Sequence, residues 1–158
     1  MSVPIRVVLT DDHPVVRRGV ADVLSASGRI SIVGEAANGE EALAVCQTTQ
    51  PDIVIMDVRM KGMDGIETTN RIKEKFPGIR VIGLSTFPQD HIIEAMKDAG
   101  ASGFLVKELT AAELIDATIR VHSGETVFFR GAEVTAGDEG AASQAPEKSA
   151  YAIGPQQQ

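Results

Sequence analysis

The chain contains no tryptophan, one tyrosine and one cysteine among its 158 residues. A single cysteine, Cys46, excludes an intramolecular disulfide, and we expect it to be a small buried apolar residue. No apolar run approaches the roughly 18 residues that a membrane-spanning helix needs. The first residues also lack the cationic-then-apolar order of a secretory signal. These absences predict a cytoplasmic protein that makes no contact with a membrane.

Clustered positive charge is absent as well, because acidic residues outnumber basic ones and the formal net charge is −7. Proteins that bind nucleic-acid backbones use clustered Lys and Arg, so broad phosphate-backbone binding is not expected. The acidic excess is compatible with a cation site, although it also simply keeps a protein in solution.

Five short apolar runs alternate with helical patterns along the chain. They are nearly continuous rather than alternating, which is typical of parallel strands covered on both faces. The runs are Ile5–Thr10, Ile30–Ala36, Asp52–Asp57, Arg80–Ser85 and Gly103–Lys107. The pattern predicts an α/β fold with a five-stranded parallel doubly wound sheet, flavodoxin-like, in the order 2-1-3-4-5, with helices on both faces.

The helices between these runs have recognisable ends. Asp12 or His13 can cap a first helix that has Pro14 in its first turn. Its inward-facing residues are predicted to be Val16, Val20, Val23 and Leu24. Further helices are predicted over Gly39–Gln50, Gly65–Phe76 and Pro88–Ala99, and a capping box at Thr110-Ala-Ala-Glu113 opens a fifth.

The composition changes after Phe129. The stretch 130–158 is rich in Gly, Ala, Ser, Glu and Gln and has few large apolar residues. Such a segment buries too little surface to offset the entropy lost on ordering. We therefore predict one domain over residues 1–129 and a low-complexity, disordered tail over residues 130–158.

Carboxylates stand at the ends of the predicted strands. Asp11 and Asp12 follow the first run and Asp57 ends the third, and the strand order makes these two strands neighbours. Ligands of open parallel sheets bind in the crevice at the carboxyl ends of the strands. Clustered carboxylates repel one another, and Mg²⁺ resolves the conflict because it prefers a few carboxylates, water and phosphate oxygens. The cluster predicts a Mg²⁺ site suited to phosphoryl transfer onto Asp57.

Two further polar residues end neighbouring strands. Lys107 offers an ammonium group for a phosphate oxygen, and the Ser85 hydroxyl can donate a hydrogen bond to another. Each residue also has an ordinary structural interpretation: Asp12 as a helix cap, Ser85 as a polar strand end, Lys107 as a solvated charge. Their joint placement at four strand ends favours the functional interpretation.

The sequence resembles the receiver domains of two-component response regulators over Ile5–Val127. The segments that carry the resemblance are VVLTDDHPVVRRGV, EAANGEEAL, PDIVIMDVRMKGMDGIE, VIGLST and AGASGFLVKE. Three features are most similar to the NarL/FixJ-type branch: DDHPVVRRG, the Lys-Glu pair after the fifth strand, and HSGETVFF.

The resemblance implies a role for each matching position. Asp57 would accept the phosphoryl group, and the acidic pair Asp11 and Asp12 would hold Mg²⁺ together with Asp57 and the backbone carbonyl of Arg59. Ser85 and Lys107 would contact the phosphoryl group. Ser85 would then move toward it, and Phe104 would act as the switch aromatic that turns inward. The phospho-donor would be a histidine kinase, a phosphotransfer protein or a small phospho-donor. Such a domain is not an ordinary enzyme, because it promotes only its own phosphorylation and dephosphorylation.

The sequence departs from the family pattern in three places. Met60-Lys61 stands where many receivers have Met-Pro, and Glu108 stands where a proline follows the lysine in other branches. NarL/FixJ-type regulators normally continue into a helix-turn-helix domain, and the stretch 130–158 shows no pattern of that domain.

Three functions stay open from the sequence. The leading one is a receiver that switches a protein-interaction or dimerisation surface in a phosphorelay; its charged residues would be Lys97, Asp98, Asp116 and Arg120. The alternative is a NarL/FixJ-type transcription regulator whose DNA-binding domain is missing here, so that no DNA binding is expected of this chain. A small Mg²⁺-dependent phosphatase is disfavoured, because such enzymes commonly place an acid two residues after the nucleophile, where this chain has Arg59.

Overall fold

A computed structural model describes residues 3–60, 62–86 and 89–129, and the backbone of a strand at 151–155. The seven strands are β1 Ile5–Thr10, β2 Ile30–Ala36, β3 Ile53–Asp57, β4 Arg80–Ser85, β5 Gly103–Val106, β6 Glu125–Phe129 and β7 Tyr151–Pro155. The five helices are α1 Pro14–Ser25, α2 Gly39–Thr49, α3 Gly65–Lys75, α4 Asp90–Asp98 and α5 Ala111–His122.

The strands form one sheet in the order β2-β1-β3-β4-β5-β6-β7. All pairs from β2 through β6 are parallel, and β7 lies antiparallel to β6. The predicted doubly wound parallel sheet and its order 2-1-3-4-5 are confirmed. The predicted count of five strands is wrong, because β6 pairs with β5 through Gly103↔Val127 and Phe104↔Phe128. The residues of β6 follow Gly124 directly after α5, at the predicted end of the domain, where the sequence pattern predicts no strand.

The predicted disordered tail differs from the structure at one place. Tyr151–Pro155 is a strand whose five residues pair with Glu125–Phe129 of β6. Pairing of this kind uses backbone groups of an open strand edge and needs no large apolar side chains, so composition gave no signal of it. Residues 130–150 and 156–158 lie outside the described residues, and the expectation for them stays a prediction.

Helices cover both faces of the sheet and create two apolar cores. On one face α1 and α5 contribute Leu24 and Val121, and on the other α3 and α4 contribute Ile72 and Met96. Strand β3 serves both cores: the side chains of Ile53 and Ile55 enter the first core, and those of Val54 and Met56 enter the second. This double burial explains why the strand sequences are continuously apolar.

The helix ends follow the sequence signals in most places. The capping box between Thr110 and Glu113 is present at α5. At α3 the side chain of Asp64 accepts a hydrogen bond from the Glu67 N–H. Helix α4 begins at Asp90, and its predicted start at Pro88 lies outside the described residues.

Helix α1 shows one difference from the prediction. Leu24 is buried as predicted, but Val16 is 40% exposed, and Ala21 packs into the core instead. His13 occupies the N-cap position without a side-chain capping bond. The first turn of α1 therefore stands clear of the sheet.

Candidate functional site

The predicted polar residues meet at the carboxyl edge of the sheet. Asp11 follows β1, Asp57 ends β3 and Ser85 ends β4. Thr10 is the register partner of Met56, which puts Asp11 beside Asp57 on adjacent strands. The Lys107 N–H donates to the Ser85 carbonyl at 3.0 Å, so the chain after β5 is tied to the end of β4.

The lysine lies between two buried carboxylates. Lys107 Nζ is 3.2 Å from Asp11 Oδ2 and 3.3 Å from Asp57 Oδ2. Asp11 is 5% exposed and Asp57 is 4% exposed. Buried charges are expensive unless they are paired, and one ammonium is shared here between two acids. The arrangement therefore leaves uncompensated negative charge at the edge of the sheet.

The electrostatics of Asp57 follow from this position. The pKa of its carboxyl is raised above the ordinary value, chiefly because burial disfavours the charged form. Repulsion from Asp11 adds to that increase in the pKa. The Arg59 N–H, which donates to Asp57 Oδ1 at 3.0 Å, and the Lys107 ammonium both oppose it. A cation near this carboxylate would favour the ionised form further.

The turn after β3 is held by a glycine. A Cβ on Gly65, the first residue of α3, would lie 2.6 Å from the Val58 Cα and 3.0 Å from the Asp57 carbonyl oxygen. The Gly65 N–H donates to the Val58 carbonyl at 2.9 Å. Only glycine permits this approach of helix to strand without a shift of the backbone. The close approach fixes the backbone on which Asp57 stands.

The acidic cluster suits a hard divalent cation. Among the described residues, ligand atoms of Asp11, Asp12, His13 and Asp57 lie within 4.8 Å of one another. Asp12 Oδ1 is shielded from solvent and accepts no hydrogen bond. A buried carboxylate oxygen without a donor is costly, and a cation would satisfy it. The residues present thus fit Mg²⁺. The resemblance also assigns the backbone carbonyl of Arg59 to the metal, and the side chain of Arg59 is exposed.

The two switch residues lie deeper in the molecule. Ser85 is buried at the end of β4. Phe104 is fully buried in the core between the sheet and α4, against Met96 and Gly83. The ring therefore occupies the inward position in this structure, and the movement that the resemblance implies stays a prediction.

Arg17 and Glu35 were missed as residues that support the acidic pair. Arg17 on α1 donates through Nη1 to the Asp11 carbonyl and through Nε to Glu35 Oε1 at 2.9 Å. The guanidinium thus joins α1, β2 and the loop that carries Asp11. A basic residue one helical turn after the N-cap was the available signal, because that spacing returns the side chain to the start of the helix.

The chain belongs to the response regulator receiver domain family, whose model matches residues 7–119. Receiver domains of this family are generally phosphoryl-accepting signalling domains of two-component systems rather than classical enzymes. Membership of this family implies interaction with a histidine kinase or another phospho-donor. Within the part of the chain that the structure describes, no helix is long and apolar enough to cross a membrane.

Several known proteins are similar to this chain. Response regulator protein VraR from Staphylococcus aureus is 39% identical over 124 residues, which are 78% of this chain and 59% of that protein. The signal receiver domain of the response regulator NarL from Mycobacterium tuberculosis is 36% identical, with a TM-score of 0.75 over 78% of this chain and 99% of that one. RcsB from Salmonella typhimurium, solved in connection with DNA interaction, is 25% identical, with a TM-score of 0.70 over 76% and 60% of the two chains. The chain thus spans about three fifths of the length of the curated relative it matches.

Proposed function

We propose that Asp57 accepts the phosphoryl group in a Mg²⁺-dependent reaction and that the chain uses this modification to switch a protein-interaction surface. The observation that carries the proposal is the placement of one buried carboxylate, Asp57, between an ammonium group and an acidic pair. Phosphoryl transfer needs positioning and charge stabilisation more than covalent chemistry from the protein, and these groups supply both.

The acidic pair and Asp57 would hold the cation, together with the carbonyl of Arg59. When bound there, Mg²⁺ neutralises negative charge on the phosphoryl group and on the carboxylates around it. Asp57 is the acceptor among these acids, because it ends the buried strand β3 and its Oδ1 is oriented by the Arg59 N–H. The other oxygen, Oδ2, faces Lys107 and is the one whose charge the ammonium offsets.

Lys107 and Ser85 would receive the phosphoryl oxygens. The Lys107 ammonium already bridges Asp11 and Asp57, so it needs only a small movement to contact a group attached to Asp57. The Ser85 hydroxyl would donate to a second oxygen and move toward it. The space between Ser85 and the buried ring of Phe104 would change, and this packing change would bias the surface formed by α4, β5 and α5.

Intact-mass spectrometry tests the acceptor directly. The full chain is incubated with acetyl phosphate and Mg²⁺, and we expect a gain of one phosphoryl group that peptide mapping places on Asp57. The Asp57→Asn variant should not gain this phosphoryl group under the same conditions. Asp22→Asn, an exposed aspartate on α1, is the matched control and should behave as wild type.

Omission of Mg²⁺ gives the second arm. Chelation with EDTA should abolish the gain in mass, and Asp12→Ala should weaken Mg²⁺ binding in a calorimetric titration because an anionic ligand is lost. An Asp57→Asn protein that is phosphorylated as fast as wild type, or a reaction that is indifferent to EDTA, would contradict the proposal.

A phosphorylation-dependent homodimer is the proposed output, through the α4–β5–α5 surface. The charges on this surface are engaged within the chain: Arg120 pairs with Asp116 at 2.9 Å and with Glu125 at 3.2 Å, and Lys97 Nζ lies 4.9 Å from the Phe128 ring centroid. Exposed ion pairs of this kind contribute about 0–1 kcal/mol each, so the dimer should be weak. Sedimentation should detect it only in the phosphorylated protein, and a monomer in both states would exclude it.

The second candidate is a transcription regulator of the NarL/FixJ type. The observation that favours it is the similarity to RcsB, which was studied for DNA interaction. We propose that the chain as given does not itself bind DNA specifically, because its net charge is −7 and the described residues include no recognition element beyond the receiver fold. A mobility shift that survives excess competitor DNA would favour this second candidate.

A further inference from the structure

We infer that Arg17 is a positioning residue for the cation site, because it fixes the backbone of the loop between β1 and α1 that carries Asp11 and Asp12. The inference rests on the proposed function, since it concerns how the same site is held in place. Arg17 lies on α1, and only 17% of its side chain is exposed. Its guanidinium binds a backbone carbonyl of the loop, so its effect on a cation passes through the backbone.

The loop is held by Arg17 on both sides of Asp12. Arg17 Nη1 donates to the Asp11 carbonyl, and the Arg17 backbone N–H donates to the His13 carbonyl at 3.0 Å. The Asp11 N–H donates in turn to the Ala36 carbonyl of β2 at 3.0 Å. Rotation of the backbone at Asp12 would therefore strain these bonds, which fixes the direction from which its carboxylate approaches a cation.

Strand β2 contains one extra residue, Val33, in its pairing with β1. Val7 of β1 pairs with Ile32, and the following residue, Val8, pairs with Gly34. Successive residues of a strand point to opposite faces of the sheet, so a bulge of one residue reverses the faces of all residues beyond it. The end of β2 therefore presents its side chains to the faces opposite to those that strict alternation would give.

The bulge directs Glu35 toward α1. Strict alternation would make Glu35 face α2, but it pairs with Leu9, whose side chain lies in the core on the side of α1 and α5. Gly34 takes the α2 side, where a Cβ would lie 2.5 Å from Val45 Cγ1. Glu35 Oε1 consequently accepts a hydrogen bond from Arg17 Nε at 2.9 Å.

The ion pair with Glu35 orients the guanidinium of Arg17. The donors of a guanidinium lie in one rigid plane, so a carboxylate on Nε sets the direction of Nη1 toward the Asp11 carbonyl. The positive charge of Arg17 alone would repel a second cation nearby. Positioning and repulsion therefore predict opposite results when Arg17 is removed: weaker cation binding if positioning prevails, and tighter binding if repulsion prevails.

Calorimetric titration of the full chain with MgCl₂ decides between the two. Arg17→Met keeps the length of the side chain and removes its donors and charge, and we expect the Mg²⁺ affinity to fall roughly tenfold. Arg17→Lys keeps the charge and one donor group and should recover part of the loss. Glu35→Gln keeps an acceptor oxygen and should lower the affinity in the same direction by a milder change. Arg71→Met is the matched control, because Arg71 pairs with Glu67 on the exposed surface of α3.

The Mg²⁺ dependence of phosphorylation by acetyl phosphate separates positioning from a general structural defect. In Arg17→Met the Mg²⁺ concentration at half-maximal rate should rise roughly tenfold. The rate at saturating Mg²⁺ should change less than about twofold, because Arg17 contacts the loop and Glu35. A damaged fold would lower the rate at saturating Mg²⁺ as well.

Hydrogen exchange in EDTA gives a readout that involves neither metal nor activity. The N–H groups of Asp11 and His13 should exchange faster in Arg17→Met than in wild type or Arg71→Met, while those of β3 keep the wild-type rate. Unchanged or tighter Mg²⁺ binding in Arg17→Met would overturn the inference and leave the proposed function intact, provided that Asp57 is still phosphorylated. Wild-type protein that binds no Mg²⁺ would contradict the proposed function, and the inference with it.

Discussion

Gly83 on β4 and Phe104 on β5 are register partners, and the aromatic ring packs against the glycine. A Cβ on Gly83 would lie 3.5 Å from Phe104 Cδ2, 3.1 Å from Val58 Cγ2 and 2.9 Å from Met96 Cε. The absence of a side chain at position 83 therefore permits the full burial of Phe104.

Substitution of Gly83 tests this packing. Gly83→Ala adds a methyl group where Val58 and Met96 leave too little room, and we expect the free energy of unfolding to fall by about 1–3 kcal/mol. Urea denaturation at neutral pH gives the value. Gly78→Ala is the control, because nothing lies within 4 Å of a Cβ there. Equal stability of Gly83→Ala and wild type would show that the core adapts at no cost.

Removal of the Phe104 ring should be more damaging. The ring is fully buried and touches the second core, so Phe104→Ala is expected to cost about 3–5 kcal/mol in unfolding free energy. Phe76→Ala, at a partly buried ring beyond α3, should cost less. A Phe104→Ala loss no larger than that of Phe76→Ala would argue that the ring spends much of its time outside the core.

The strands could be predicted closely because both faces of the sheet are buried, which makes their sequences continuously apolar. Two bounds differ by one residue: β3 begins at Ile53 because the Asp52 carboxylate accepts the Arg6 N–H at 2.9 Å, and β5 ends before Lys107. Strand β7 could not be predicted, because only its backbone pairing with β6 defines it. Val16 has the spacing of an inward residue, but the first turn of α1 projects beyond the sheet.

Replacement of Asp57 should stabilise the metal-free protein at neutral pH. The folded-state pKa of Asp57 is raised, chiefly by burial, so the native state binds more protons than the unfolded state in the range between the two pKa values. The contribution of Asp57 to the free energy of unfolding is fully present below pH 3.8, the ordinary pKa of an aspartate. This contribution is lost as the pH rises through the folded-state pKa. Asp57→Asn should therefore be more stable than wild type in EDTA at pH 7, and the difference should shrink toward pH 4.

Unfolding curves of both proteins across that pH range measure the effect. Saturating Mg²⁺ should reduce or reverse the difference, because it binds the wild-type carboxylate. An Asp57→Asn protein less stable than wild type at pH 7 in EDTA would mean that the Lys107 ion pair outweighs burial and the repulsion by Asp11.

The thiol of Cys46 provides an alkaline probe of the fold. Cys46 is fully buried on α2, and burial raises its pKa to about 11 from 9.0. Between these values the unfolded state loses the thiol proton while the native state keeps it, so stability falls as the pH rises, by up to about 1.4 kcal/mol per pH unit. Cys46→Ala should lack this component of the pH dependence. Denaturation midpoints of wild type and Cys46→Ala at pH 8 and pH 10.5 measure this component. If both proteins lose the same stability between these pH values, the loss does not come from the Cys46 thiol.

The sequence predicts those residues of the acidic site that lie at the ends of strands. Asp11, Asp57, Ser85 and Lys107 were found because parallel strands bring their carboxyl ends to one edge. The support from Arg17 depends on how α1 packs against β2, which the periodicity of α1 does not specify. The contact of His13 with Asp12 depends in the same way on the direction of one side chain at the start of a helix.

Strand β7 also has a consequence for behaviour at high concentration. With Tyr151–Pro155 in place, β6 has a neighbour on both sides and does not offer its N–H and C=O groups to another molecule. An uncovered strand edge is a template for aggregation through intermolecular strand pairing. The shielding is weakest near Glu125, because its partner Pro155 has no N–H to donate. Because β7 is itself the last strand of the sheet, a chain shortened after Phe129 would make β6 the edge strand in place of β7, and its tendency to aggregate would then depend on the edge of β6.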